Sequence, residues 1–160
     1  MFLDADVVLQ DNFLEKALKE FERRNLDVAG IPLDPQTSKK MIKFFFDYFY
    51  NYPIKRLEKF VPCGSMCFLI KKKLHQKIKG FNEEVKINED YDYIRRAAKN
   101  GRYGSLRKTK ISVSLRRFYK DGWVKVILKY LLAELHYYFL GPVKSDVFYY
   151  KFGHYKSKGS

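Results

Sequence analysis

Apolar residues recur three and four apart through DNFLEKALKEFERRN (residues 11–25), where Phe13, Leu14, Ala17, Leu18 and Phe21 mark one stripe of a helix. Asp11 or Asn12 stands at its start as a cap, and Glu15 follows Asn12 by three positions, as in a capping box. Ahead of it, MFLDADVV reads as the end of a buried strand running into a loop. LDVAGIPL (26–33) reads as a strand and DPQTSKK as the loop after it. A second helix is predicted over about residues 38–52, ended or kinked at Pro53. Lys40, Lys43, Asp47 and Asn51 fall on one side of it, while Phe44, Phe45, Phe46, Tyr48, Phe49 and Tyr52 cover the rest. So wide an apolar face must be buried or must rest on something apolar.

From Val61 the pattern gives a turn, a strand over 66–71, a helix over 72–78, the loop GFNEEVKI, and a helix over 89–100 closed by Gly101 at the C′ position. Residues 102–114 alternate in the manner of a strand. The last third reads as one or two amphipathic, aromatic helices followed by a basic tail, KFGHYKSKGS, expected to fray. Strands alternating with helices predict an α/β layer fold with parallel pairing, although the strands are too few for a complete doubly wound sheet. No internal repeat or linker is evident.

Charge adds a constraint: the net charge of +14 favours an anionic partner, whether nucleic acid, lipid headgroup or phosphorylated substrate. Aromatic residues make up 18% of the chain and gather in FFFDYFYNY (44–52) and in the tract from Trp123 to Tyr150, which suits either an aromatic core or a membrane interface. No run of about 18 uncharged apolar residues occurs, so a spanning helix is not expected. The best candidate, 123–141, carries Lys125, Lys129, Glu134 and His136. The N-terminal residues lack the basic region of a secretory signal, so the expected location is cytoplasmic, with peripheral contact at the cytoplasmic membrane face. Nucleic acid is not an expected partner, because no RNP-type or helix-turn-helix pattern is present. Cys63 and Cys67 are too few for a structural zinc site and read as buried free thiols.

Three clusters carry candidate chemistry. Asp4 and Asp6 sit at i and i+2 where an apolar strand ends, at the sheet edge where open α/β folds place ligands. Two hard oxygen donors there suit Mg2+ or Mn2+, and the alternative is a loop whose aspartate caps the next helix. In INEDYDYIRRAAKNG (87–101), Glu89, Asp90 and Asp92 crowd a helix start. Acids there are favoured by the helix dipole without any ligand, or one of them acts as a general base. In SVSLRRFYKDGW (112–123), Arg116 and Arg117 either grip a diphosphate through bidentate hydrogen bonds or form a solvated basic patch.

The order FLDADV, PCGSMCFLIKKKLHQKIKGFNEE, INEDYDYIRRAAKNG resembles the second half of a family 2 glycosyltransferase of the GT-A (nucleotide-diphospho-sugar transferase) fold. In that family a strand ends in DxD, a Gly-containing segment leads to a strand and a "GGF-E" loop, and an "ED-D" helix start follows. Here Lys79 replaces the first glycine of that loop. The resemblance implies a metal-dependent, inverting enzyme that moves sugar from a nucleotide-sugar donor to a glycan or lipid-linked acceptor, as in cell-envelope polysaccharide synthesis. It implies Asp6 and Asp4 as carboxylates meeting the donor and a Mg2+ or Mn2+ ion, with Asp6 the direct ligand. By the same resemblance Asp90 is the base and Glu89 a catalytic neighbour beside it, near the acceptor or donor sugar, while Gly64, Ser65 and Asp92 lie on the acceptor side. Arg116 and Arg117 match a diphosphate-contacting basic motif more loosely. It covers residues 1–120 as a partial catalytic domain, with 121–160 a helical, basic-aromatic extension. In the family the nucleotide-binding βαβ units precede the DxD strand, and here Met1 stands two residues before Leu-Asp. The expectation is therefore a fragment, completed by an N-terminal half or assembled as a homo-oligomer. The competing expectation is a noncatalytic membrane- or partner-binding piece with inherited motifs.

Overall fold

A computed structural model describes residues 1–4, 7–63, 66–85 and 88–141. The central sheet contains β1 (Phe2–Leu3), β2 (Val28–Gly30), β4 (Cys67–Ile70) and β5 (Tyr103–Ser105) in the order β1-β4-β2-β5. A second, two-stranded parallel sheet joins β3 (Leu33–Pro35) to β6 (Ile111–Val113). Period-two alternation sorts the central strands between two cores. Ala29, Cys67 and Leu69 face one side with Phe13, Ala17 and Phe21 of α1 (Phe13–Arg23). Val28 and Phe68 face the other with Leu74, Tyr93, Ile94 and Ala97. The result is a mixed α/β arrangement with helices on both faces of the sheet.

The expected parallel pairing holds between β2 and β5 and between β3 and β6, but not at β4, which runs antiparallel to both β1 and β2. Alternation of strand and helix in a sequence does not encode strand direction. β4 starts beside the end of β1, where the Asp4 N–H donates to the Met66 carbonyl at 2.9 Å. It then leads to Lys71, whose ammonium and backbone N–H both bond Asp27, each at 2.9 Å. The single strand expected over 26–33 is divided between the two sheets as β2 and β3. Pro32, between them, has no N–H with which to continue a ladder.

The capping box expected at α1 does not form. Asn12 is left-handed (φ 57°) and its side chain makes no cap bond. The apolar stripe is also narrower than its periodicity suggests. Leu14 and Leu18 are exposed, whereas Glu20 is buried and accepts the backbone N–H groups of Arg107 and Lys108, each at 2.9 Å. Those charge-assisted bonds replace the hydration that the carboxylate loses.

The second predicted helix runs through Pro53. α2 (Lys40–Phe45) passes into a π-helical turn (Phe46–Asn51) and then α3 (Tyr52–Arg56). The change of register puts Pro53 in the first turn of α3, where its missing N–H goes unneeded. Its orientation reverses part of the expected burial. Asn51, from the polar side, is buried and mimics a strand edge, accepting from Leu33 N–H at 3.0 Å and donating to Leu33 C=O at 2.8 Å. Asp47 steadies the amide at 2.8 Å and pairs with Lys110 at 2.6 Å. Phe46 is buried, but Phe44, Phe45, Tyr48, Phe49 and Tyr52 face outward.

The segment after β4 forms α4 (Lys72–Lys77), which ends in a Schellman turn. The Gly80 N–H reaches His75 C=O at 3.2 Å, and the Lys79 N–H reaches Gln76 C=O at 3.1 Å. Lys79 occupies the left-handed position (φ 59°) that such turns give to glycine. At the end of α5 (Glu89–Asn100), by contrast, Gly101 is not a left-handed C′ residue; its backbone is extended. Glycine is needed there for space, since a Cβ would lie 2.8 Å from Leu74 Cδ2 and 2.9 Å from Asp27 Cβ. Cys63 and Cys67 are free and buried, as expected, and burial pushes the Cys67 thiol up to about 11.

Two substitutions test these local accounts by urea denaturation. Asn51→Ala leaves the buried Leu33 amide and carbonyl unpaired and is expected to cost about 2–4 kcal/mol. Lys79→Gly relieves the left-handed strain and is expected to stabilise the chain by about 0.5–1 kcal/mol, so a destabilised variant would contradict the turn geometry.

Candidate active site

The three segments that carry the resemblance converge through their aromatic residues. Phe2 of FLDADV packs on Phe68 of β4 with ring centroids 5.0 Å apart, on Phe81 of KGFNE at 5.2 Å, and on Tyr93 of INEDYDY at 5.6 Å. Phe81 and Tyr93 stack at 4.3 Å. The fully buried Tyr93 also hydrogen-bonds His75 Nδ1 at 2.6 Å, tying α5 to α4. Each pairing removes apolar surface from water and adds ring–ring attraction. The end of β1 and the start of α5 are thereby fixed on one side of the sheet.

Asp4 stands exposed just past β1, and Asp90 is partly buried in the first turn of α5. Burial raises the Asp90 carboxyl to about 7. The Tyr91 N–H, donating to it at 2.9 Å, opposes that shift, and the charges of Glu89 and Asp4 add to it. Asp4 and Asp90 therefore share one electrostatic neighbourhood. Glu89 is exposed beside them. Asp6, Gly64 and Ser65 lie outside the described residues.

Neighbouring side chains hold this arrangement in place. Tyr103 both accepts from the Cys63 N–H at 3.1 Å and donates to the Cys63 carbonyl at 2.7 Å. The Cys63 thiol meets the Tyr91 hydroxyl at 3.0 Å, which links the chain before 64–65 to α5 next to Asp90. This clamp explains Gly30, where a Cβ would sit 2.6 Å from the Cys63 carbonyl oxygen and 2.8 Å from the Tyr103 hydroxyl. Asp92 is buried in an ion pair with Arg96 at 2.7 Å, and Arg96 also donates to Ile78 C=O at 2.9 Å over the face of Tyr93.

Arg116 and Arg117 begin α6 (Arg116–Asp121) and are exposed. They follow β6, which Val8 joins through reciprocal backbone bonds with Ser112 at 3.4 and 3.3 Å. The chain downstream of the DxD segment thus runs beside the strand that leads to the arginine pair.

Among the described residues no group of three or more His, Cys, Asp or Glu side chains is placed to hold a metal ion. Asp4, the described member of the DxD pair, is an exposed hard-oxygen donor at a strand end, a chemistry that fits a divalent cation also held by a bound diphosphate. Sequence reading did not single out Phe2, Phe81, Tyr91, Tyr93 and Tyr103. The available signal was that all but Tyr103 lie inside the motif segments themselves.

No curated protein sequence matches significantly. The crystal structure of S. aureus TarS 1–349 in complex with UDP-GlcNAc is similar in fold, with a TM-score of 0.51 and 19% sequence identity over 72% of this chain. The match covers 34% of the TarS chain, so this protein spans about a third of that structure's length. Residues 1–120 match glycosyl transferase family group 2, and the chain belongs to that family.

Proposed function

We propose that this chain supplies the acceptor-side part of an inverting glycosyl-transfer site that uses a nucleotide-sugar donor and a glycan or lipid-linked acceptor. The observation that carries the proposal is Asp90, a carboxyl raised to about 7 beside Asp4 and steadied by the Cys63–Tyr91 contact. A base with that affinity is half ionised near neutrality and takes a proton readily. Asp90 accepts the acceptor hydroxyl's proton as the acceptor oxygen attacks the anomeric carbon. The bond from that carbon to the nucleoside diphosphate breaks in the same displacement. Arg116 and Arg117 are assigned to the negative charge that develops on the departing diphosphate. Asp6 and Asp4 would hold a Mg2+ or Mn2+ ion, which when bound neutralises diphosphate charge. Gly64 and Ser65 are assigned to the acceptor side of the site, and Glu89 to a place beside Asp90 near the acceptor or donor sugar. The role of Asp92 is to orient α5 through Arg96. The donor held by TarS makes a UDP-sugar the first to test.

The alternative, a noncatalytic piece with inherited motifs, draws support from the outward-facing aromatic residues of 44–52. Calorimetry of the chain with Mn2+ and a panel of UDP-sugars separates the two readings: donor binding supports the site, and its absence across the panel supports the alternative.

Two substitutions in the enzyme that contains this chain test the assignments. Asp90→Asn is expected to lower turnover about 10²–10⁴-fold with donor affinity nearly unchanged, and retained turnover would refute the base. Because the ionised form is the base, kcat/KM should climb about tenfold per pH unit below about 7 and level off above it. Asp6→Ala is expected to weaken metal-dependent donor binding; an unaltered metal requirement would remove it from the ligand set.

A further inference from the structure

The side of the helical run over 40–56 that turns away from the core is strongly apolar. Met41 is 82% exposed, Phe44 64%, Phe49 61% and Tyr52 60%, and their neighbours Phe45 and Tyr48 are also exposed. Stacking holds these rings as a rigid array, with Phe44 against Tyr48 at 5.8 Å, Phe45 against Phe49 at 4.8 Å and Tyr48 against Tyr52 at 6.2 Å. Alongside lies the start of α7 (Trp123–Leu140), where Val124, Ile127 and Leu128 are exposed. Between the two runs an open apolar groove of about 500 Å³ is lined by Met41, Ile42, Phe45, Tyr119, Trp123 and Ile127. Contiguous apolar surface of this extent on a folded chain marks an interaction site.

The charges around this face point to its occupant. Lys39 lines the groove, and Lys40 and Lys43 of α2, Lys120 of α6 and Lys125 of α7 are exposed on the elements that form it. Of the nearby acids, Asp47 is engaged by Lys110 and Glu58 by Arg24 and Arg107, while Asp121 is exposed next to Lys120. The rim is therefore cationic, within a chain of net charge +14. Pairing this face with its own copy would set lysine against lysine, which opposes an isologous dimer. Phe and Tyr rings flanked by lysines match the chemistry of a bilayer interface, where rings sit at headgroup depth and ammonium groups meet anionic lipid. No described helix is long and apolar enough to cross a membrane.

We infer that the aromatic face of residues 41–52, together with the start of α7, docks on an anionic lipid surface. This reading is independent of the transfer chemistry, since none of its residues belongs to the Asp4–Asp90 site. Docking would hold the protein where a lipid-linked substrate is presented.

The test is co-sedimentation of the full chain with phosphatidylcholine vesicles, either pure or containing about one third phosphatidylserine. Fluorescence of Trp123, the only tryptophan, is read in parallel against brominated lipid as quencher. Binding to the anionic vesicles is expected to be at least about tenfold tighter and to weaken when salt is raised to about 0.5 M, with Trp123 quenched. Phe44→Ser with Phe49→Ser removes exposed rings only, so the far-ultraviolet circular dichroism should persist while vesicle affinity falls about tenfold or more. Lys40→Glu with Lys43→Glu should abolish the preference for phosphatidylserine. Equal affinity for both vesicle types, or binding unaffected by the serine pair, would overturn the inference. So would absence of vesicle binding together with a dimer that the serine pair dissociates in analytical ultracentrifugation.

Discussion

The packing of Phe2, Phe68, Phe81 and Tyr93 is the contact on which the site depends. Each ring comes from a different stretch of chain, and three of those stretches carry the motif residues themselves. Phe2 anchors the short β1, which ends at Asp4. Tyr93 sits one helical turn beyond Asp90 and Phe81 closes the loop between them. Rings packed at 4.3 to 5.6 Å cannot slide far without opening a cavity, so the carboxylates they carry are held near one another. Hydrogen bonds then refine what packing has fixed. His75 takes the Tyr93 hydroxyl, Arg96 ties Asp92 to Ile78, and Tyr103 grips the backbone of Cys63.

Preorganisation accounts for the unusual affinity of Asp90 for a proton. A carboxyl at a helix start would ordinarily titrate low, as the dipole favours the anion. Here removal from water outweighs that and the Tyr91 N–H, and two neighbouring carboxylates push the same way. Carboxyls held against their usual preference cluster at functional sites. The net charge of +14 favours anionic partners in general.

Much of this was legible in the chain itself. The helices at 13–23 and 89–100, the strand at 67–70, the free thiols and the family resemblance all follow from periodicity and motif order. The failures have particular physical causes. Helical periodicity placed Asn51 on the polar side with Lys40, Lys43 and Asp47, but the buried backbone of Leu33 needed a donor and an acceptor, and the amide of Asn51 supplied both. Pro53 read as an end or a kink, and the π-helical turn by which the helix passes it has no signature in composition. Gly101 read as a left-handed cap when its role is to admit Leu74 and Asp27. The substitution of Lys79 for a glycine looked minor, yet the left-handed backbone at that position shows what the glycine is for. At the site, the carboxylates stood out by chemistry, whereas the rings that position them resembled ordinary core residues.

The central claim is that packing brings the end of β1 and the start of α5 into one electrostatic site. Carboxyl-carbon NMR titration of Asp90 in the chain, with and without Asp4→Asn, measures this most directly. The account predicts a midpoint near 7 that falls when the Asp4 charge is removed. A midpoint near 4, or one indifferent to Asp4, would contradict it.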